Sequence, residues 1–264
     1  MKHIKPYKIF ESNSPKFPTT REEVIQVCKK YKIIDYTIND DLSIDVDGNV
    51  RLENIDLEYL PLRFNYVSGS FYCYKNELKT LEGGPQTVGG NFQCYYNSLE
   101  TLKGCPQTVD GDFDCNRNKL KTLEGGPQTV GGNFRCYYNR LKTLEGSPQT
   151  VDGDFNCHFN KLETLEGGPQ TVNGNFRCFN NKLKDLEHFP EVSGNIRIEE
   201  NTVYHLVYTF IKDTDTFMIE DFIDYEIVRN RDTVMLDRLQ TFIRDNDLKM
   251  PNLDNIKGHY KIIE

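Results

Sequence analysis

The chain has 264 residues and a formal net charge of −8, with 32 Lys and Arg against 40 Asp and Glu, 12% aromatic residues and no Trp. The acidic average argues against a general nucleic-acid or anionic-membrane binder, which needs a basic surface. No apolar run nears the roughly 18 residues of a membrane span, and the start carries no apolar signal core.

In chain order, residues 1–18 (MKHIKPYKIFESNSPKFP) are basic at first and then broken by Ser and Pro, which reads as a flexible tail or a strand edging a cap. Residues 19–45 read as an N-terminal cap. Within it, TREEVIQVCKKY predicts a helix: Thr20 and Glu23 form a capping box, and Val24, Val27, Cys28 and Tyr31 make an apolar face. Two short alternating runs, 36–38 and 42–46, are joined by Asn39-Asp40-Asp41 and read as a hairpin. Helix and hairpin together would cover a sheet edge that aggregates if bare.

From Val46 the chain repeats itself. VGGNFQCYYNSLETLKGCPQT, 88–108, returns every 21 residues with the frame V-x-G-x-F-x-C-x-x-N-x-L-x-x-L-x-G-x-P. The anchors are Val46, Val67, Val88, Val109, Val130, Val151, Val172 and Val192, and only the last step is 20 residues, because LEHFPEV has lost one. A constant period of this size predicts a solenoid over 46–202, in which each repeat is one coil and stacking buries the core. The terminal coils drift, with Val50 and Leu52 in the first and Ile196 and Ile198 in the last where Phe and Cys stand elsewhere. Coils that face a cap do so.

Alternation along G-x-F-x-C turns Gly, Phe and Cys inward and the residues between them outward. The Asn nine places after Val (Asn76, Asn97, Asn118, Asn139, Asn160, Asn181, Asn201) can satisfy backbone groups at a bend and form a hydrogen-bonded ladder. The paired Leu, such as Leu99 and Leu102, fill the opposite wall. Gly-x-Pro turns the chain. Too few residues remain for a full helix, so the far side is expected to be irregular.

This frame resembles the leucine-rich repeat, in the short form of bacteria and their phages, over residues 46–201. It departs in using Phe and Cys at the strand positions where Leu usually sits, and in its Gly-x-Pro turn. The resemblance implies a horseshoe or gently curved coil with a parallel sheet on the concave side. The expected fold is an α/β solenoid: a leucine-rich-repeat-like right-handed coil of about eight 21-residue repeats between a helix-hairpin cap and a C-terminal helical cap. The N-terminus resembles the head-targeting propeptides of internal capsid proteins of large contractile-tailed phages, which begin Met-Lys and end in Ile-or-Leu-x-Glu. Here Ile9-Phe10-Glu11 precedes Ser12. That resemblance implies cleavage after Glu11, packing in the virion head, and action in the host cytoplasm.

Six of the eight cysteines form one column: Cys73, Cys94, Cys115, Cys136, Cys157 and Cys178. Their side chains point in parallel, whereas a disulfide needs converging Cβ vectors, so they read as small buried hydrophobes in a reducing compartment. Cys28 and Cys105 lie outside the column. After Asn201 helical periodicity begins. Val203, Leu206, Val207 and Phe210 share one face. Phe217, Ile219, Phe222 and Ile223 follow behind Asp215 or Thr216. A third set, Val234, Leu236, Leu239, Phe242 and Ile243, is placed behind Asp232 as cap. Met250-Pro251 breaks it, and KGHYKIIE returns as a strand. Residues 203–264 read as a C-terminal helical cap.

No catalytic set emerges from the five histidines, His3, His158, His188, His205 and His259, and the Gly-Gly pairs lack the Gly-Lys-Ser/Thr of a phosphate loop. Asp110, Asp112 and Asp114, with Asp152 and Asp154, read as a solvated acidic face and not as a Ca²⁺ site. No metal and no cofactor is expected. The outward columns are more telling. The fifth place holds Arg51, Tyr72, Gln93, Asp114, Arg135, Asn156, Arg177 and Arg197; the seventh holds Tyr74, Tyr95, Asn116, Tyr137, His158 and Phe179. Aromatics interleaved with Arg carry interface energy; cross-strand stacking that only stabilises the sheet is the plainer explanation. The reading is a monomeric, non-enzymatic scaffold that binds another protein through Gln93, Tyr95, Asp114, Asn116, Arg135, Tyr137, Asn156, His158, Arg177 and Phe179. Its rivals are a structural virion component and a C-terminal effector targeted by the repeats.

Overall fold

Each coil folds into two very short strands, one at Thr-Val and one at Phe-x, as in Thr87–Val88 and Phe92–Gln93. Like strands of successive coils pair in parallel and in register, Val88 with Val109 and Phe92 with Phe113. The computed structural model, which describes residues 16–208 and 216–264, is therefore a parallel β-solenoid of about seven turns with a spacing of about 21 residues and small helical regions at both ends. The Phe strands form an eight-stranded sheet, as the frame predicts. The Thr-Val strands form a second, nine-stranded sheet where an irregular wall was expected. Two residues are too few to show alternation, so nothing in the periodicity marks that sheet.

The interior is built from columns. Phe71, Phe92, Phe113, Phe134, Phe155 and Phe176 are fully buried, with ring centroids 5.1 to 5.9 Å apart. Burying one such ring contributes about 1.5–3 kcal/mol. The six Cys of the column are fully buried and free. Burial raises the thiols of Cys73, Cys94, Cys115, Cys136 and Cys157 above the usual cysteine range, which keeps them protonated and unreactive. Each ninth-place Asn clamps two coils: Asn97 Oδ1 accepts from the Leu78 N–H at 3.1 Å, and its Nδ2 donates to the Cys73 and Cys94 carbonyls, both at 3.0 Å.

A second polar ladder runs through the third place. Asn91 Oδ1 accepts from the Asp112 N–H, Asp112 Oδ1 from the Asn133 N–H, and Asn133 Oδ1 from the Asp154 N–H, at 2.7 to 2.8 Å. The second-place Gly does not face the core with Phe and Cys. A Cβ on Gly111, Gly132 or Gly153 would lie 2.8 to 2.9 Å from the carbonyl carbon of the Gly one coil earlier. The N–H of each donates to that same residue's carbonyl at 3.0 to 3.1 Å. The neighbouring backbone occupies the place of a side chain.

At the N-terminal end, helix Arg21–Tyr31 buries Val24 and Cys28. Thr20 Oγ1 accepts from the Glu23 N–H at 3.2 Å, and Glu23 Oε2 reaches back to the Thr19 N–H at 2.7 Å. Tyr36–Ile38 pairs antiparallel with Ile44–Val46, which pairs in parallel with Phe64–Val67, so the hairpin extends and closes the Thr-Val sheet. Phe17, assigned to the tail from sequence, packs under the Arg63 guanidinium at 4.7 Å. Glu11 and Ser12 lie outside the described residues, as do Phe210 and Asp215.

The C-terminal region holds helices Tyr204–Val207, Thr216–Asp224, Leu236–Asp245 and Leu253–Lys257, and a three-stranded sheet of Val228–Arg229, Thr233–Met235 and Lys261–Ile263. Asp232 does not cap the third helix. Thr233–Met235 pairs with Lys261–Ile263, and this tertiary pairing delays the helix to Leu236. One substitution in the frame docks this region. At the thirteenth place Thr122 Oγ1 and Thr164 Oγ1 accept from the N–H two residues on. Asp185 replaces Thr there, keeps that bond to Glu187, and offers a second oxygen to Arg231 Nε at 3.2 Å. Tyr260 Oη donates to the Lys184 carbonyl beside it. The residue missing from the last step falls in the turn just after, where His188 takes φ +62° and Phe189 packs on Phe176 at 5.2 Å.

Gly132→Ala should cost about 1–3 kcal/mol, the usual range for overpacking against a rigid neighbour. Gly258→Ala, where a Cβ meets nothing within 4 Å, should leave stability unchanged. Urea unfolding midpoints of the two variants check this, and equal midpoints would refute the close-approach account.

Candidate binding face

Beyond the Phe strand, coil-to-coil bonding continues: the Cys94 N–H donates to the Asp114 carbonyl at 2.9 Å and the Tyr96 N–H to the Asn116 carbonyl at 3.1 Å. The fifth, seventh and eighth residues therefore stand in rows along the stack. The eighth then turns the chain, with φ of +52° to +57° at Asn54, Lys75, Tyr96, Arg117, Tyr138, Phe159, Asn180 and Glu200.

The seventh-place row is a half-buried stack. Tyr74 and Tyr95 lie 4.5 Å apart and parallel. Tyr137, His158 and Phe179 follow at 4.5 and 4.4 Å, and the Arg197 guanidinium covers Phe179 at 4.6 Å. Asn116 interrupts the row, and there the eighth place takes over. Arg117 lies between Tyr96 and Tyr138, 4.9 and 4.3 Å from their centroids, and Tyr138 stacks on Phe159 at 4.5 Å. Tyr96, Tyr138 and Phe159 are the exposed aromatics of this face, at 48%, 39% and 36%.

The fifth-place row is largely occupied. Arg135 pairs with Asp112 at 2.7 Å, and Arg177 with Asp154 and with Asn156 Oδ1. Of the ten residues assigned to the interface from sequence, Gln93, Tyr95, Arg135, Tyr137, His158, Arg177 and Phe179 are half-buried. Asp114, Asn116 and Asn156 are buried: their short side chains lie beneath the long ones of adjacent coils. The structure brings all ten onto one face and places the three short ones in its floor.

Burial opposes ionisation of Asp112, but the Asn133 N–H and Arg135 outweigh it and hold the carboxyl below its usual value. Asp154 is held down in the same way by Asn175 and Arg177. Burial wins at Asp114, which is raised despite its bonds to Asn116. It also pushes Tyr95 up to about 12, with help from Tyr74 and Asp114. His158 is pushed down to about 4 by burial and then by Arg177 and Arg197, and its Nδ1 is buried with no hydrogen-bond partner. Among the described residues no group of three His, Cys, Asp or Glu is placed to hold a metal ion.

Sequence reasoning missed the eighth-place row. Alternation was carried through the seventh place as if the strand ended there, although Tyr95-Tyr96, Tyr137-Tyr138 and His158-Phe159 put two adjacent aromatics in each coil. Comparison with known proteins finds no matching family model, no matching curated protein and no matching solved structure.

His158 should stay neutral through pH 6 and titrate near 4 by NMR. Its unfolded value is about 6.5. The unfolded chain therefore binds the proton first as pH falls, and the stability contributed by the neutral ring, complete above about 6.5, is lost between there and about 4. A ring midpoint near 6.5 in the folded protein would contradict the buried stack.

Proposed function

We propose that this chain is a non-enzymatic protein-binding scaffold whose binding face is the outer side of the Phe sheet. The observation that carries the reading is the backbone at the eighth place. A left-handed conformation costs an ordinary L residue about 1–2 kcal/mol, and Asn tolerates it best after Gly. Asn54 and Asn180 occupy the position in that way. Tyr96, Tyr138 and Phe159 do not, and they hold large rings in solvent at sites where folding favours a small polar residue. Strained, exposed aromatics are residues kept for contact with something else. The half-buried stack and the Arg135 and Arg177 ion pairs behind them give the rings a rigid support, which lowers the entropy lost on binding.

Replacing Tyr96, Tyr138 and Phe159 together by Asn should leave the thermal midpoint equal or higher while capture of a protein partner falls by at least about tenfold. The control pair Thr129→Ala and Thr150→Ala, exposed on the other sheet, should capture as the parent does. Capture is read by pull-down and identification of the retained protein. A triple variant that captures as well as the parent sinks this assignment.

A further inference from the structure

The tenth residue of each coil stands two places beyond the aromatic row, across the ninth-place Asn. In the coils anchored at Val109, Val130, Val151 and Val172 it is Lys119, Arg140, Lys161 and Lys182, all exposed. None of the four is in an ion pair among the described residues. The glutamates of these coils stand mostly at the fifteenth place, as Glu124, Glu145, Glu166 and Glu187, beyond both Leu columns, and the aspartates, Asp185 aside, stand at the first, third and fifth places, on the other side of the aromatic row. Glu163, two residues from Lys161, is the exception at the twelfth place, which otherwise holds Lys. A chain that is acidic on average therefore carries, among the described residues, unpaired cationic rows at the tenth and twelfth places, and the tenth is the one beside its exposed rings.

We propose that this row, with the aromatic row next to it, binds an acidic α-helix of a partner protein lying along the solenoid axis. The proposal rests on the scaffold reading above and names the chemistry of the partner. Spacing selects a helix. Coils that follow at about 4.8 Å place the four cations over about 14 Å. Carboxylates at i, i+4, i+7 and i+11 share one helix face and span about 16 Å, close to one per coil. In an extended strand, same-face side chains repeat at about 6.6 Å, so only about three fit along the row where the helix offers one for each cation.

The rings argue against single-stranded nucleic acid, which stacks its bases on open aromatic faces. Here the faces between successive rings are occupied: Arg117 fills the gap between Tyr96 and Tyr138, and Tyr138 lies on Phe159. The row presents ring edges, the positive side of the aromatic quadrupole, and phenol hydroxyls. Both suit carboxylates. The net charge of −8 does not oppose a short acidic stripe, because charges beyond about 8 Å are largely screened at physiological salt.

The test uses the full chain and three fluorescent probes read by anisotropy. The first is an Ala-rich 15-residue peptide with Glu at i, i+4, i+7 and i+11. The second has the same composition with a central Pro, and the third is a 15-nucleotide oligothymidylate. The helical peptide should bind, weaken as salt is raised, and exceed the other two by at least about tenfold. Changing Lys119, Arg140, Lys161 and Lys182 to Glu should reduce its binding by at least about tenfold; the Gln set serves if the reversed chain fails to fold. Absent binding, equal binding of the Pro peptide or the oligonucleotide, or unaltered binding by the Gln set would each overturn the proposal. If the aromatic triple variant still abolishes partner capture in that event, the binding face stands and only the acidic helix is removed.

Discussion

The structure depends on the close approach of one coil's backbone to the next at the second-place glycine. There the N–H of one residue meets the carbonyl of its counterpart one coil earlier, and no side chain fits between them. Every other regularity is a consequence of that contact. It sets the register in which Phe stacks on Phe and Cys on Cys. It also aligns the third-place and ninth-place side chains so that their oxygens accept from backbone N–H groups of the adjacent coil. A parallel sheet with strands of two residues has little hydrogen bonding of its own. The two polar ladders supply what the strands lack.

An interior specified so tightly leaves the remaining positions of the coil free to vary, and this is where the chain differs from repeat to repeat. The fifth, seventh, eighth and tenth places hold Tyr, His, Phe, Arg, Lys, Asn and Asp in different orders. Their variation is not noise around a frame. Arg135 and Arg177 each find an acid at the third place one coil earlier, Asp112 and Asp154, and where the seventh-place stack breaks at Asn116 the eighth-place Arg117 bridges the gap. Side chains that neighbour one another along the stack are matched over steps of 21 or 23 residues in sequence.

Much of this was legible before any coordinates. The period, the Phe, Cys and Leu columns and the Asn ladder all follow from spacing, because a buried position repeated at constant distance has one solution, and the helix-hairpin cap follows from its capping box and alternating runs. What escaped had physical reasons. The Thr-Val sheet has strands too short to show a period. The eighth-place row follows a strand whose alternation ends in a left-handed residue, which no pattern of polarity announces. Asp232 looks like a helix cap until Lys261–Ile263, far away in sequence, claims the residues after it. The clasp at Asp185 was visible as a departure from Thr, but its partner Arg231 was not. Net charge is silent on a further point, since a sum over the chain hides the segregation of lysine and glutamate into separate rows.

The single short step of the repeat lies against the C-terminal clasp, in the turn holding His188 and Phe189. Upstream of it, each internal junction joins the same two surfaces. Recombination within the gene that deletes or duplicates one whole unit between Val67 and Val172 would leave matched ends, lengthening or shortening every row by one residue. The same event across the 20-residue step would shift the frame of the final turn and separate Asp185 from Arg231. Copy number is thus free to drift in the middle of the array and is anchored at its carboxyl end, so relatives of this chain should differ in reach before they differ in how they are closed.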